Sequence, residues 1–175
     1  MADGFEEVEA LAPVDILRRA GADVQLVGVN SLTVKGARGV SVVCDLLWTQ
    51  TQMENVDMII LPGGFPGFEN LAGDSRVTDD IEYMLEKGRY VCAICGAPAA
   101  VLGEKGYLKG KKATCYPGME ESLHCEVSDE NVCVCDNVIT SKSAATAMEF
   151  ALVLCEKLMG ADECNKVKKS IVYND

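Results

Sequence analysis

One stretch constrains the fold of this chain more than any other. Tyr90-Val91-Cys92-Ala93-Ile94 is an unbroken apolar run of strand length, and it stops at Cys95. Gly96-Ala97-Pro98 follow directly, and Ala99-Ala100-Val101-Leu102 then has the composition of a helix. A run that is apolar at every residue fits a strand covered on both faces, the condition of a parallel sheet between helix layers. A nucleophile on the tight turn from such a strand into a helix, beside a glycine that relieves crowding, is the arrangement of a nucleophile elbow. The helix start behind Cys95 favours its thiolate. The alternative is a core cysteine that merely ends a strand, since free cysteine is among the most buried residue types. The turn context and a matching carboxylate speak for the elbow.

The rest of the chain alternates β-rich and helical patterns, which is the signature of a mostly parallel α/β sheet. Residues 6–20 are expected to form a helix, kinked at Pro13 and stopped by Gly21. Strands are expected at 24–29, at 40–43 in a hairpin, and at 58–61 running into Pro62-Gly63-Gly64. A helix over 75–87 follows, with Val77, Ile81, Met84 and Leu85 on one face. A short strand begins at Lys112 and runs toward Tyr116. Residues 132–135 and 138–140 form a hairpin across Asp136-Asn137. An apolar helix spans 144–159 and ends at Gly160, and 171–173 is expected to be a last short strand. The 175 residues suit one domain, 1–175. A doubly wound domain normally opens with a buried strand that leads into its first functional loop. Here Met1 is followed at once by Ala2-Asp3-Gly4, which has the character of that loop. The first strand is therefore expected to be missing from this sequence.

Composition excludes several classes. The formal net charge is −11, which argues against a nucleic-acid footprint or an anionic membrane as partner. No apolar run approaches the roughly 18 residues of a transmembrane helix. The acidic start lacks the basic and apolar regions of a signal peptide, so a cytoplasmic location is expected. The nine cysteines are odd in number, so they cannot all pair within the chain. Most lie in apolar segments, as reduced core cysteines do. Cys92 and Cys95 form a CxxC, but its first cysteine lies inside the strand pattern rather than at a helix start. No second CxxC or histidine pair stands at ligand spacing, so no metal is expected. No phosphate-binding loop is present, and no cofactor is expected.

Three segments are expected to meet at the carboxyl edge of the sheet, where α/β proteins place their sites. They are Asp3 to Glu9, Leu61 to Gly64, and the Cys95 turn. Gly63 and Gly64 allow close backbone approach and present N–H groups to an anion, and the N–H of Gly96 is the natural second donor. Glu6 and Glu7 fit the ordinary role of acids at a helix N-terminus. Glu9 lies one residue beyond Val8, a position from which it can turn toward the sheet edge. A carboxyl held beside a cysteine either donates a hydrogen bond when protonated or acts as a base when ionised.

These residues add up to a resemblance. ADGFEEVEALAPVDILRRAG, DMIILPGG, AICGAPAAVL, ATCYPG and SAATAMEFALVL, in that order and spacing, resemble the ThiJ/PfpI superfamily. The branch most similar is that of the parkinsonism-associated protein deglycase and its bacterial relatives. The resemblance implies a flavodoxin-like three-layer sandwich and a homodimer. It also implies a reactive Cys95, a protonated Glu9 hydrogen-bonded to it, and oxyanion donors at Gly64 and Gly96. Gly63, Arg38, Tyr116 and Lys142 fall at pocket positions.

The sequence departs from that pattern in places. Where this branch often carries histidine in a T-x-H-P context, Thr114-Cys115-Tyr116-Pro117 has Tyr116. The protease-like branch has histidine directly after the cysteine, and here Gly96 stands there. The single histidine, His124, has the setting of a loop residue. An amidase or peptidase reading is thereby weakened, because acyl transfer needs a general acid for the leaving amine. The expected substrate is a small reactive carbonyl, handled by glyoxalase III or deglycase chemistry. The alternative is a redox sensor or stress chaperone working through oxidation of the same cysteine.

Overall fold

The computed structural model describes residues 1–173. Asn174 and Asp175, the end of the expected 1–175 domain, lie outside the described residues. Helix α1 (Glu7–Arg19) is capped by Glu6, whose side chain accepts from the N–H of Glu9, and it runs through Pro13 without a break. Short strands β1 (Val27–Gly28), β2 (Thr33–Lys35), β3 (Ser41–Val43) and β4 (Leu46–Leu47) follow, then β5 (Met58–Leu61). Next come α2 (Gly67–Ala72), α3 (Ser75–Glu86) and β6 (Tyr90–Ile94), and a π-helix over Pro98–Gly103. The chain continues through β7 (Lys112–Ala113), β8 (Glu126–Val127), β9 (Val132–Cys135) and β10 (Val138–Ser141), and ends in α4 (Ala147–Met159) and α5 (Ala161–Ser170).

The main sheet has the order β5-β6-β10-β9. Its first three strands are parallel, and β9 joins β10 as an antiparallel edge through the Asp136-Asn137 turn. Asp136 takes a positive φ of 53°, a conformation that aspartate tolerates in tight turns. Side chains alternate across β6. Val91 and Ala93 enter one core with Val77, Ile81 and Met84 of α3 and Val101 and Leu102 of the π-helix. Cys92 and Ile94 enter the other with Ile16 and Leu17 of α1 and Phe150 and Leu154 of α4. Apolar cover on both faces explains the absence of polar alternation in this strand. The result is the three-layer α/β sandwich expected from the sequence.

Several elements differ from expectation. The segment 24–29 keeps ladder geometry only at Val27–Gly28, and the strand begun at Lys112 ends at Ala113. Residues 171–172 form a turn, not a strand, because they close the unanticipated helix α5. Only Cys164 and Val167 of α5 are buried, so its sequence carries little apolar periodicity. Strands β1 and β4 form a separate parallel pair, and among the described residues no strand joins them to β5. Met1 reaches along β1 instead: its ammonium donates to the Val27 carbonyl, and its own carbonyl accepts from the N–H of Val29 at 2.9 Å. No described helix is long and apolar enough to cross a membrane.

Candidate active site

The backbone at Cys95 is fixed from two sides. Its N–H donates to Ser141 O at 2.9 Å, and its carbonyl accepts from the N–H of Tyr116 at 2.8 Å. Between them φ is +66°, in the left-handed region that costs a non-glycine residue roughly 1–2 kcal/mol. Strain held by surrounding hydrogen bonds is what a nucleophile elbow requires. Cys95 is only half-buried, whereas Cys92 is fully buried; all nine cysteines are free.

Glu9 comes to Cys95 from the first turn of α1. Glu9 is 1% exposed, accepts the N–H of Gly63 on Oε2 at 2.9 Å, and stands across Gly63 from Cys95, close enough that carboxyl and thiol shift one another's titration. The amides of Gly96 and Gly64 point at the Cys95 sulfur. Gly63 and Gly64 are required by space. A Cβ on Gly63 would stand 2.6 Å from both Cys95 Cβ and Glu9 Oε2. Gly64 has φ +89° and lies against the backbone of Gly4 to Glu6. The three expected segments therefore converge. Glu7 does more than the helix N-terminal role expected of it: it is buried, and its Oε1 accepts the N–H groups of Arg38 and Val40 at 2.8 and 3.3 Å. No local sequence signal marks Glu7 for this, because the bonds come from residues more than thirty positions away.

The remaining pocket positions are less central. Arg38 contributes its backbone N–H to Glu7 while its side chain is exposed. Lys142 directs its ammonium to the Asp129 carbonyl. Tyr116 anchors the Cys95 carbonyl by its backbone, and its side chain is half-exposed. His124 lies at the surface, 3.6 Å from a Glu104 oxygen. Two surface cavities, of about 400 and 610 Å³, are lined by other residues. Among the described residues no cluster fit to hold a metal ion is present.

Electrostatics correct one expectation. The thiol is not tuned by a helix N-terminus alone. Burial pushes it up to about 12, the Glu9 charge and hydrogen bond add to this, and the Gly96 and Gly64 amides pull the other way. The π-helix starts only at Pro98, too far away to offset desolvation. Burial likewise pushes the Glu9 carboxyl up to about 7, while its contacts with Cys95 and Gly63 oppose the rise. The two groups titrate as a unit. The Glu9 carboxyl gives up its proton near neutrality, well before the thiol does. While Glu9 keeps that proton its charge no longer opposes the thiolate, and the carboxyl donates to sulfur.

A pH dependence of stability follows. The folded carboxyl binds its proton up to about pH 7, against an ordinary value of 4.5. Its contribution is fully present below pH 4.5 and is lost as the pH rises through about 7. Urea unfolding of wild type and Glu9→Gln at a series of pH values should show wild type losing about 3 kcal/mol relative to the variant across that range. Parallel curves would contradict the assigned shift.

The match to known proteins is extensive. Residues 1–157 match the DJ-1/PfpI family. This chain belongs to that family. It is 38% identical over 97% of its length to protein DJ-1 homolog B of Arabidopsis thaliana, of which it spans only 39%. It is 31% identical over 95% of its length to a Caenorhabditis elegans protein named glutathione-independent glyoxalase DJR-1.2, covering 89% of that chain. Oxidized DJ-1 of Toxoplasma gondii superposes with a TM-score of 0.93 at 35% identity, over 98% of this chain and 95% of the other. The DJ-1/PfpI fold is thus flavodoxin-like here, as its neighbours are.

Proposed function

We propose that this protein converts small α-oxoaldehydes such as methylglyoxal to hydroxy acids without a cofactor. The observation that carries the proposal is the buried Glu9 carboxyl, held by the Gly63 N–H directly beside the strained Cys95 turn. The Cys95 thiolate adds to the aldehyde carbon, a C–S bond forms, and the oxygen takes a proton to give a hemithioacetal. Glu9 removes the proton from that carbon and returns a proton to the adjacent one, while the hydroxyl proton passes to the neighbouring carbonyl oxygen, leaving a thioester on Cys95. Water then cleaves the C–S bond and releases the hydroxy acid and the thiol. The overall change is addition of one water, with no external oxidant. Gly64 and Gly96 stabilise the oxyanions, and a carboxyl titrating near pH 7 is suited to move protons in both directions. The relative from Caenorhabditis elegans carries a glyoxalase name, which supports this reading.

The test uses wild-type protein and methylglyoxal with glutathione absent. Lactate should form catalytically, and rapid quenching should trap a one-substrate adduct on the Cys95 peptide. Absence of both overturns the reading. A second reading draws on the same donors: a sulfinate on Cys95 would accept hydrogen bonds from Glu9 and the two amides. Selective sulfinate formation on Cys95 under peroxide, with no carbonyl turnover, would favour a redox sensor.

A further inference from the structure

One aromatic side chain packs on the Cys95 turn and two more lie on segments that hold it, and the proposed chemistry gives them no task. Phe65 follows Gly64, whose amide faces the sulfur, and Phe65 is 67% exposed. Phe68 lies over the residue after the nucleophile: a Cβ on Gly96 would stand 2.7 Å from two atoms of its ring. The Phe65 and Phe68 rings are 6.1 Å apart and tilted by 60°, a favourable aromatic geometry. Tyr116 holds the Cys95 carbonyl by its N–H and leaves its side chain 49% exposed. Exposed aromatics borne by the segments that flank a half-buried nucleophile can offer ring faces and edges to an incoming group. The single histidine is engaged at the surface with Glu104.

We propose that Phe65, Phe68 and Tyr116 form an aromatic rim that makes Cys95 selective for aryl-substituted α-oxo carbonyl compounds over methyl-substituted ones. The proposal rests on the carbonyl reading above for its substrate class, and on geometry for its selectivity. A phenyl substituent on the carbonyl carbon next to the attacked aldehyde points away from the sulfur and toward the rim. Glu9 and the amides act on the two reacting carbons and are indifferent to that substituent. Discrimination then falls to Phe65 and Tyr116, as the exposed members, while Phe68 supports the ring of Phe65.

Alkylation of Cys95 separates selectivity from turnover. 2-Bromoacetophenone and bromoacetone both form a C–S bond at the methylene carbon and release bromide, the thiol proton passing to solvent. The ratio of their rates at Cys95, followed by peptide mapping, is compared with the ratio measured for free glutathione. Wild type should favour the aryl reagent about tenfold beyond glutathione. Phe65→Ala and Tyr116→Ala should each lower that preference, and Phe65→Leu should lower it less than Phe65→Ala. A wild-type ratio equal to that of glutathione, or one unchanged in both alanine variants, overturns the rim. kcat/KM for phenylglyoxal and methylglyoxal completes the comparison. An aryl alkylation preference with neither aldehyde turned over leaves the rim standing and removes the carbonyl enzyme. Turnover of both aldehydes with no alkylation preference does the reverse.

Discussion

Glu9→Gln is expected to lower methylglyoxal turnover by about 10² to 10⁴, the usual range for loss of a positioned general acid–base. Cys95→Ser should abolish covalent addition and bring turnover to background. The double variant should be no worse than Cys95→Ser, because groups that act on one intermediate are not additive. The Glu9 variant also separates two roles. The Glu9 charge and hydrogen bond both raise the thiol. Glutamine removes the charge, so the thiol should titrate at lower pH and more thiolate should be present near neutrality. If Glu9 served only to set the thiol, Glu9→Gln would react faster with an alkylating agent and turn over at least as well as wild type. If it moves protons between carbons, alkylation quickens while kcat falls. Ultraviolet titration of the thiolate, alkylation rates and kcat on the same two proteins decide the matter. Unchanged kcat in Glu9→Gln would remove Glu9 from the mechanism.

Local pattern carried most of this architecture. The apolar run at Tyr90–Ile94, the stop at Cys95 and the glycine after it are consecutive residues, so strand, turn and strain were visible together. Helix α3 announced itself through Val77, Ile81, Met84 and Leu85 on one face. Helix α5 and the short α2 did not, because each buries only two residues and lacks a periodic stripe. The pairing of Glu9 with Cys95 crosses more than eighty residues. No spacing rule connects them; the expectation that their segments meet at one sheet edge, together with the resemblance, brought them together. The role of Glu7 escaped for the same reason. The protonation of the site was misjudged at Cys95, because a sequence displays the helix that follows a residue but not how deeply the thiol is buried.

Gly64→Ala is expected to be the most damaging single-methyl substitution at the site. The added carbon would lie 2.2 Å from Glu6 N, 2.4 Å from Gly4 O and 2.5 Å from Phe5 C. All three are backbone atoms, so relief requires moving the loop that delivers Glu9. The same residue has φ +89°, which adds conformational strain. Gly118→Ala isolates that second cost, because Gly118 has φ +94° with nothing within 4 Å of the added carbon. About 1–2 kcal/mol is expected from strain alone at Gly118. At Gly64 the clash brings the loss to about 4 kcal/mol or more, a large share of the 5–15 kcal/mol that holds a domain together. Urea unfolding of both variants measures the difference. Function should separate them further, since shifting residue 64 turns its N–H away from the Cys95 sulfur, whereas Gly118→Ala leaves that amide in place. Equal destabilisation by the two substitutions would mean that the loop at Gly4 to Glu6 yields easily. In that case the site could not depend on its rigidity to hold Glu9 against Cys95.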